Sequence, residues 1–147
     1  MINRVKIKIE SVIETLGPGG LPEGESEKSV KHLEGVYRFN GSEARLTYKE
    51  NDEDGSSESE IICAFGAVTV RRSGAIESEL YFKEGETQHS IYSIPPYRFD
   101  AEVRARRVNT ELNENGGRIN LVYNMKIGGA ERSAIMRIWI SKASNQA

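Results

Sequence analysis

Hydrophobic and polar residues alternate along almost the whole chain. Val5, Ile7 and Ile9 share one parity, and Arg4, Lys6, Lys8 and Glu10 occupy the other. That is the pattern of a strand with one buried face, because successive Cβ atoms point to opposite sides of a sheet. A second strand is read over residues 30–39. It turns at Asn40-Gly41, a pair that tolerates positive φ at both central turn positions, and Ala44, Leu46 and Tyr48 share the return face. A fourth strand over 59–65 turns at Gly66 into Val68, Val70 and Arg72; Gly74 and Gly85 then bound a strand carrying Ile76, Ser78, Leu80 and Phe82 on one parity. After residues 87–94, Pro95-Pro96 breaks pairing, since neither proline can donate to a ladder.

Phe99, Ala101, Val103 and Ala105 then alternate with Arg98, Asp100, Glu102, Arg104 and Arg106. The phase slips at Arg106-Arg107-Val108, which predicts a bulge or bend. Asn115-Gly116-Gly117 and Gly128-Gly129 delimit two last strands, whose buried faces are Ile119, Leu121, Tyr123, Met125, Ile127 and Ala134, Met136, Ile138, Ile140. Two stretches fall outside the pattern. Residues 16–24 hold too much glycine and proline for any regular element beyond a short helical turn, and the acidic tract 50–60 reads as a long hairpin loop. No window carries the i, i+3, i+4, i+7 spacing of a helix. About eight to ten strands with turn signals roughly every 8–14 residues predict an antiparallel sandwich or barrel. Consecutive hairpins favour the barrel, because closure removes exposed edges. The expectation is one all-β domain over residues 1–147, an up-and-down barrel.

Several residues carry a resemblance. Leu46-Thr47-Tyr48-Lys49-Glu50, Val68-x-Val70-x-Arg72-Ser73-Gly74, Phe82-x-x-Gly85, Tyr92, Gly117-Arg118-Ile119 and Tyr123-x-Met125 occur in that order. The pattern resembles the YwiB-like family of small bacterial proteins of unknown function, from about Ser11 to Ile140. The resemblance implies a lipocalin-like (calycin) β-barrel and brings no reaction or ligand with it. The chain departs from the family in a longer Gly/Pro-rich insertion near Gly17. It also has Pro96 and Tyr97 where an aromatic residue and a glycine are usual.

Composition narrows the function. Twenty basic residues against 22 acidic ones leave a net charge of −2, with a pI near 5.8. This argues against a dedicated nucleic-acid binder or a polybasic membrane-surface protein. One cysteine excludes an intramolecular disulfide and a zinc site built on several thiolates. The N-terminus lacks an apolar signal core, no apolar run is long enough to span a bilayer, and Asn145-Gln146-Ala147 matches no lipidation signal. Cytoplasmic residence is the expectation, and Asn40-Gly41-Ser42 is then a hairpin turn rather than a glycosylation site.

Arg72 is the sharpest candidate. It shares parity with Val68 and Val70, so a barrel that buries those valines turns a guanidinium inward, where it needs a carboxylate, carbonyls or a bound anion. Glu50 follows Leu46 and Tyr48 in phase and belongs at the same barrel end, two strands away. We expect a Glu50–Arg72 pair at that mouth, either merely closing the rim or anchoring a carboxylate or phosphate. Tyr48, Tyr92 and Tyr123 would line the wall, though Tyr123, in phase with Leu121 and Met125, also suits core packing. Trp139 and Ile135 take the outward parity of the last strand. They offer either a homodimer contact or residues covered by the first strand or a loop.

Other constellations point away from chemistry. Glu50, Asp52, Asp54 and Gly55 imitate part of a calcium loop, but Ile61 stands where the bidentate glutamate belongs, so no metal is expected. Arg98, Arg104, Arg106 and Arg107 alternate with Asp100 and Glu102 and lack interleaved aromatics, the look of a solvated strand face. His32 and His89 lie on separate strands, there is no Gly-x-Ser-x-Gly, and the glycine-rich stretch lacks the Gly-Lys-Ser/Thr of a phosphate loop. Cys63, among Ile61, Ile62 and Phe65, reads as a buried apolar residue. The expected function is non-enzymatic binding of a small amphipathic or anionic molecule in or at the mouth of the barrel, without a cofactor. The alternative is an interaction protein with a filled barrel, and an isolated enzyme chemistry ranks third.

Overall fold

A computed structural model describes residues 2–53 and 55–143. The strands are β1 (Ile2–Leu16), β2 (Pro22–Phe39), β3 (Glu43–Asp52), β4 (Gly55–Ala64), β5 (Ala67–Gly74), β6 (Glu77–Lys83), β7 (Thr87–Ile94), β8 (Tyr97–Asn113), β9 (Gly116–Ile127) and β10 (Ala130–Lys142). Each pairs antiparallel with its chain neighbours, and β1 pairs with β10 to close a ten-stranded up-and-down barrel. The parity read from the sequence is the inside–outside parity of this barrel. Val5, Leu46, Val68, Val103, Leu121 and Ile138 are all buried.

Three expectations change. The Gly/Pro-rich stretch forms a single 3₁₀ turn at Pro18–Gly20, and β2 already starts at Pro22. Pairing with β1 from Leu16↔Pro22 to Ile2↔Arg38 supplies the partner that local propensity does not advertise. The acidic tract is no long loop either: β3 runs on to Asp52 and β4 begins at Gly55, paired from Asn51↔Ser56 inward. Glu53 and Glu58 are exposed there, and the ladder runs on without a break. Asp54, part of the calcium-loop imitation, lies outside the described residues, as does the C-terminal Asn145-Gln146-Ala147.

Finally, closure does not abolish every edge. β2 meets β3 only over Gly35–Phe39, so its first half has β1 on one side alone. That half carries Pro22, Gly24, Lys28 and Lys31, residues that blunt a free edge. β6 and β7 pair only at Glu77↔Ser93 and Ser78↔Tyr92 among the described residues. The turn between them is held instead by β8, through Gly85 N–H to the Ala105 carbonyl at 2.8 Å and Ala105 N–H to the Glu86 carbonyl at 3.1 Å. The expected phase slip is present as a register shift between Ala105 and Arg107.

The interior is divided in two. At the end bounded by the Asn40-Gly41 and Phe65-Gly66 turns it is packed with Leu46, Ile61, Val68, Phe82, Leu121 and Ile138. There the Tyr37 hydroxyl donates to the Asn113 carbonyl at 2.7 Å, satisfying the one polar atom that ring brings inside. Toward the other end the side chains stand apart and leave a cavity. Gly35 sits where β2 parts from β3, against both Val5 and Tyr48. A Cβ there would strike the Thr47 carbonyl oxygen and come within 2.8 Å of Ile7 Cδ1. Gly35→Ala is therefore expected to lower stability by about 1–3 kcal/mol, the usual cost of forcing atoms into a packed site. Urea denaturation followed by Trp139 fluorescence measures it, and an unchanged midpoint would contradict the close approach.

Candidate ligand cavity

The cavity has a volume of about 520 Å³ and opens at the end formed by the β1–β2, β7–β8 and β9–β10 turns. Its two walls differ in chemistry. Following the register across β3 to β7, Tyr48 faces Ser59, Ser59 faces Arg72, Arg72 faces Ser78, and Ser78 faces Tyr92. Five polar side chains thus stand in one unbroken row, each within cross-strand contact distance of the next; Tyr48, Arg72, Ser78 and Tyr92 line the cavity, and Ser59 is buried between Tyr48 and Arg72. The opposite wall, from β8 through β9 and β10 to β1, presents Phe99, Met125, Ile127, Met136, Ile9 and Ile13.

The polar row is under-satisfied. The Nε of Arg72 and the hydroxyls of Ser59 and Ser78 are buried and have no hydrogen-bond partner among the described residues, as does Ser57 Oγ one step along β4. Among the described residues Ser57, Ser59 and Ser78 are the buried polar ones, and all lie on strands of this wall. Buried donors are nearly always paired in folded proteins, by protein, ordered water or a ligand.

All five sequence-predicted ligand residues, Arg72, Glu50, Tyr48, Tyr92 and Tyr123, line this one cavity. The expected Glu50–Arg72 pair, however, does not form. Glu50 accepts from Lys31 Nζ at 2.7 Å across the gap between β2 and β3. The carboxylate is served by the nearer strand, which leaves the guanidinium free to face the row. Burial raises the Tyr48 phenol above its ordinary pKa of 10.0; the Glu50 carboxylate adds to this, while neighbouring Ser59 and Arg72 pull the other way. Burial likewise pushes Tyr123 to about 12, helped by Tyr92 close by. The Tyr123 ring packs at 4.8 Å between centroids on Phe82, forming part of the cavity floor. These phenols therefore remain neutral hydrogen-bond donors well above neutral pH.

Sequence reasoning missed Lys31, Ser78 and Arg132, which also line the cavity, and Ser59, buried in the wall beside Arg72. The signal was available. Ser78 is in phase with Leu80 and Phe82, Ser59 with Ile61 and Cys63, and Lys31 with Leu33 and Tyr37. A larger groove, about 690 Å³, runs along the outside of β4–β7. Within it Arg71 reaches Glu79 at 3.2 Å and Glu60 at 3.5 Å, and Ser59, Arg72 and Ser78 of the polar row also border it.

The remaining candidates stand apart from the cavity. Trp139 and Ile135 face outward on β10. Ile135 is 37% exposed, and the Lys8 ammonium of β1 lies 5.1 Å from the Trp139 ring centroid. Arg98, Arg104, Arg106 and Arg107 are exposed, as are His32 and His89. No group of metal-ligating side chains occurs among the described residues, and no helix is long and apolar enough to cross a membrane. Cys63 is buried, and its thiol is pushed up to about 12.

Comparison with known proteins gives three results. The family described as "Domain of unknown function (DUF1934)" matches residues 7–137. The chain is 24% identical over 124 residues to "Uncharacterized beta-barrel protein YwiB" of Bacillus subtilis (strain 168), spanning 84% of this chain and 82% of that protein. The crystal structure of the ywiB protein from Bacillus subtilis superposes with a TM-score of 0.85 at 22% identity, covering 97% of this chain and 94% of that one. At that identity the likeness bears on the fold alone.

Burial makes a pH dependence. Tyr37 and Tyr123, held at about 12 against 10.0, and Cys63, at about 12 against 9.0, stay protonated when folded at pH values where the unfolded chain releases those protons. Their contribution is complete below about pH 9 and is lost as pH climbs through 12. Urea midpoints should fall from pH 9 upward, and Cys63→Ala should remove the earliest part of that fall. A midpoint constant up to pH 11 would contradict the burial of these groups.

Proposed function

The chain belongs to the DUF1934 family of β-barrel proteins, and from that premise we propose that it is a non-enzymatic carrier of a small amphipathic anion held in the hollow half of the barrel. The observation that supports this reading is the inward Arg72, whose buried Nε has no hydrogen-bond partner among the described residues. An uncompensated guanidinium in such a place is costly, and a bound anion relieves the cost with charge-assisted hydrogen bonds. The polar row would take the charged end while the facing wall of Met125, Met136, Ile9 and Ile13 covers the apolar body. This would be a lipocalin-like use of a barrel: a cavity of about 520 Å³ lies within the range of small-molecule sites. Cytoplasmic residence fits the same picture.

A second reading draws on the outer surface. Val12, Ile135 and Val122 stand directly opposite one another across β1, β10 and β9, an outward aliphatic row beside Trp139. Self-association through that row would bury it. On this reading, size-exclusion chromatography gives a dimer that Trp139→Ala or Ile135→Glu converts to monomer. A monomeric wild type removes the reading.

For the carrier reading, native mass spectrometry of protein purified from its own host should show a bound small molecule. Arg72→Met, which keeps length and removes charge, should lose that mass while melting at the same or a higher temperature. A wild type that carries nothing and whose melting no amphipathic anion shifts would end the proposal.

A further inference from the structure

The charges around the cavity point to more than an anion, and we infer that the ligand is a monocarboxylate with a single hydrocarbon body, its head on Arg72 and its chain along the β8–β1 wall. The inference rests on the carrier reading above and narrows it to one chemical class.

Charge comes first. Of the ionised groups that line the cavity, Lys31 and Glu50 neutralise each other at 2.7 Å, and Arg132 is exposed at the mouth. Arg72, half-buried with its Nε shielded from solvent, is the one charge in the polar row, and it has no ionic partner among the described residues. A monoanion leaves the row neutral. A dianion such as a phosphate monoester leaves a net negative charge facing Glu50 in a poorly hydrated space, where an unbalanced charge is expensive.

Donor geometry agrees. An ionised carboxylate offers two oxygens with about four lone-pair sites and no donor of its own. Into the cavity the row offers Arg72 Nε–H, the Ser78 hydroxyl beside it and the Tyr48 phenol. Burial keeps that phenol protonated and able to donate. Beyond the head, the way to the mouth is lined by Tyr92, Ile94, Phe99, Met125, Ile127 and Ile13. Ile94 and Phe99 remain 37% and 38% exposed, so an apolar surface continues to the rim. The two methionines supply a wall that adapts to a flexible chain.

The test is a calorimetric titration of the full chain with hexanoate, octanoate and decanoate, and with decanol and decyl phosphate at about pH 8, where the phosphate is a dianion. Affinity should rise about fourfold per added methylene along the carboxylates, the equivalent of roughly 0.8 kcal/mol for each buried CH₂. Decanol and decyl phosphate should each bind about tenfold or more weaker than decanoate, the order of one charge-assisted hydrogen bond. Arg72→Met should bring decanoate down to the level of decanol. Decyl phosphate binding as tightly as decanoate would overturn the carboxylate assignment and leave the anion carrier standing. Equal affinity along the carboxylate series would overturn the seat of the chain. If none of the five compounds binds, the carrier reading falls with the inference.

Discussion

In a closed antiparallel sheet every residue points either into the barrel or out of it, and the side is fixed by its distance in sequence from any neighbour of known orientation. This constraint governs the rest of the molecule. Once Val68 is buried, Val70 and Arg72 must follow it inward, and once Ile61 is inside, Ser59 and Ser57 are too. A one-residue slip of β5 would send Arg72 to solvent and bring Arg71 inside. The salt bridges that Arg71 makes with Glu60 and Glu79 on the outer face favour the observed register from the other side.

Inward direction alone does not make a cavity; the identities of the inward residues do. Along β3 they run Ala44, Leu46, Tyr48, Glu50, and along β5 Val68, Val70, Arg72. Each series begins apolar at the packed end and becomes polar toward the mouth. The floor is therefore built from groups that gain by contact with each other, while the upper part is lined with groups that cannot pack dry. Apolar contact is thus concentrated in one half of these strands and polar lining in the other, and the two halves meet at the floor, where Ile61 and Tyr123 belong to both.

Most of the fold was legible because strand period and turn chemistry are local properties. Val5, Ile7 and Ile9, the Asn40-Gly41 turn and the slip at Arg106 announce themselves within a few residues. The start of β2 at Pro22 was not legible, since the ordering there comes from β1, which shields one edge of a stretch with little strand propensity of its own. The acidic tract misled for a related reason: charge density marks solvent exposure, and an exposed hairpin is as charged as a loop. The direction and barrel end of Arg72, Glu50 and Tyr48 followed from parity. The partner of Glu50 did not: Lys31 fell inside the strand read over 30–39, but β2 pairs with β3 only over Gly35–Phe39, and parity does not say which side chain bridges the gap beyond. Ser59 and Ser78 were overlooked although their phase was plain, since a lone hydroxyl signals nothing until it is found opposite an arginine.

The two thin seams of the sheet give the barrel unequal elasticity. β1 and β10 are joined at twelve consecutive positions, whereas β6 and β7 share two. Separating the first pair amounts to unfolding the protein; widening the second breaks almost no ladder and leaves β7 supported by β8. Opening at the second seam, close to Ser78 and Tyr92, therefore breaks the fewest ladder hydrogen bonds of any opening between chain neighbours. A guest inside such a cylinder could come and go at a rate set by one weak flank, without the thermodynamic stability of the host entering at all.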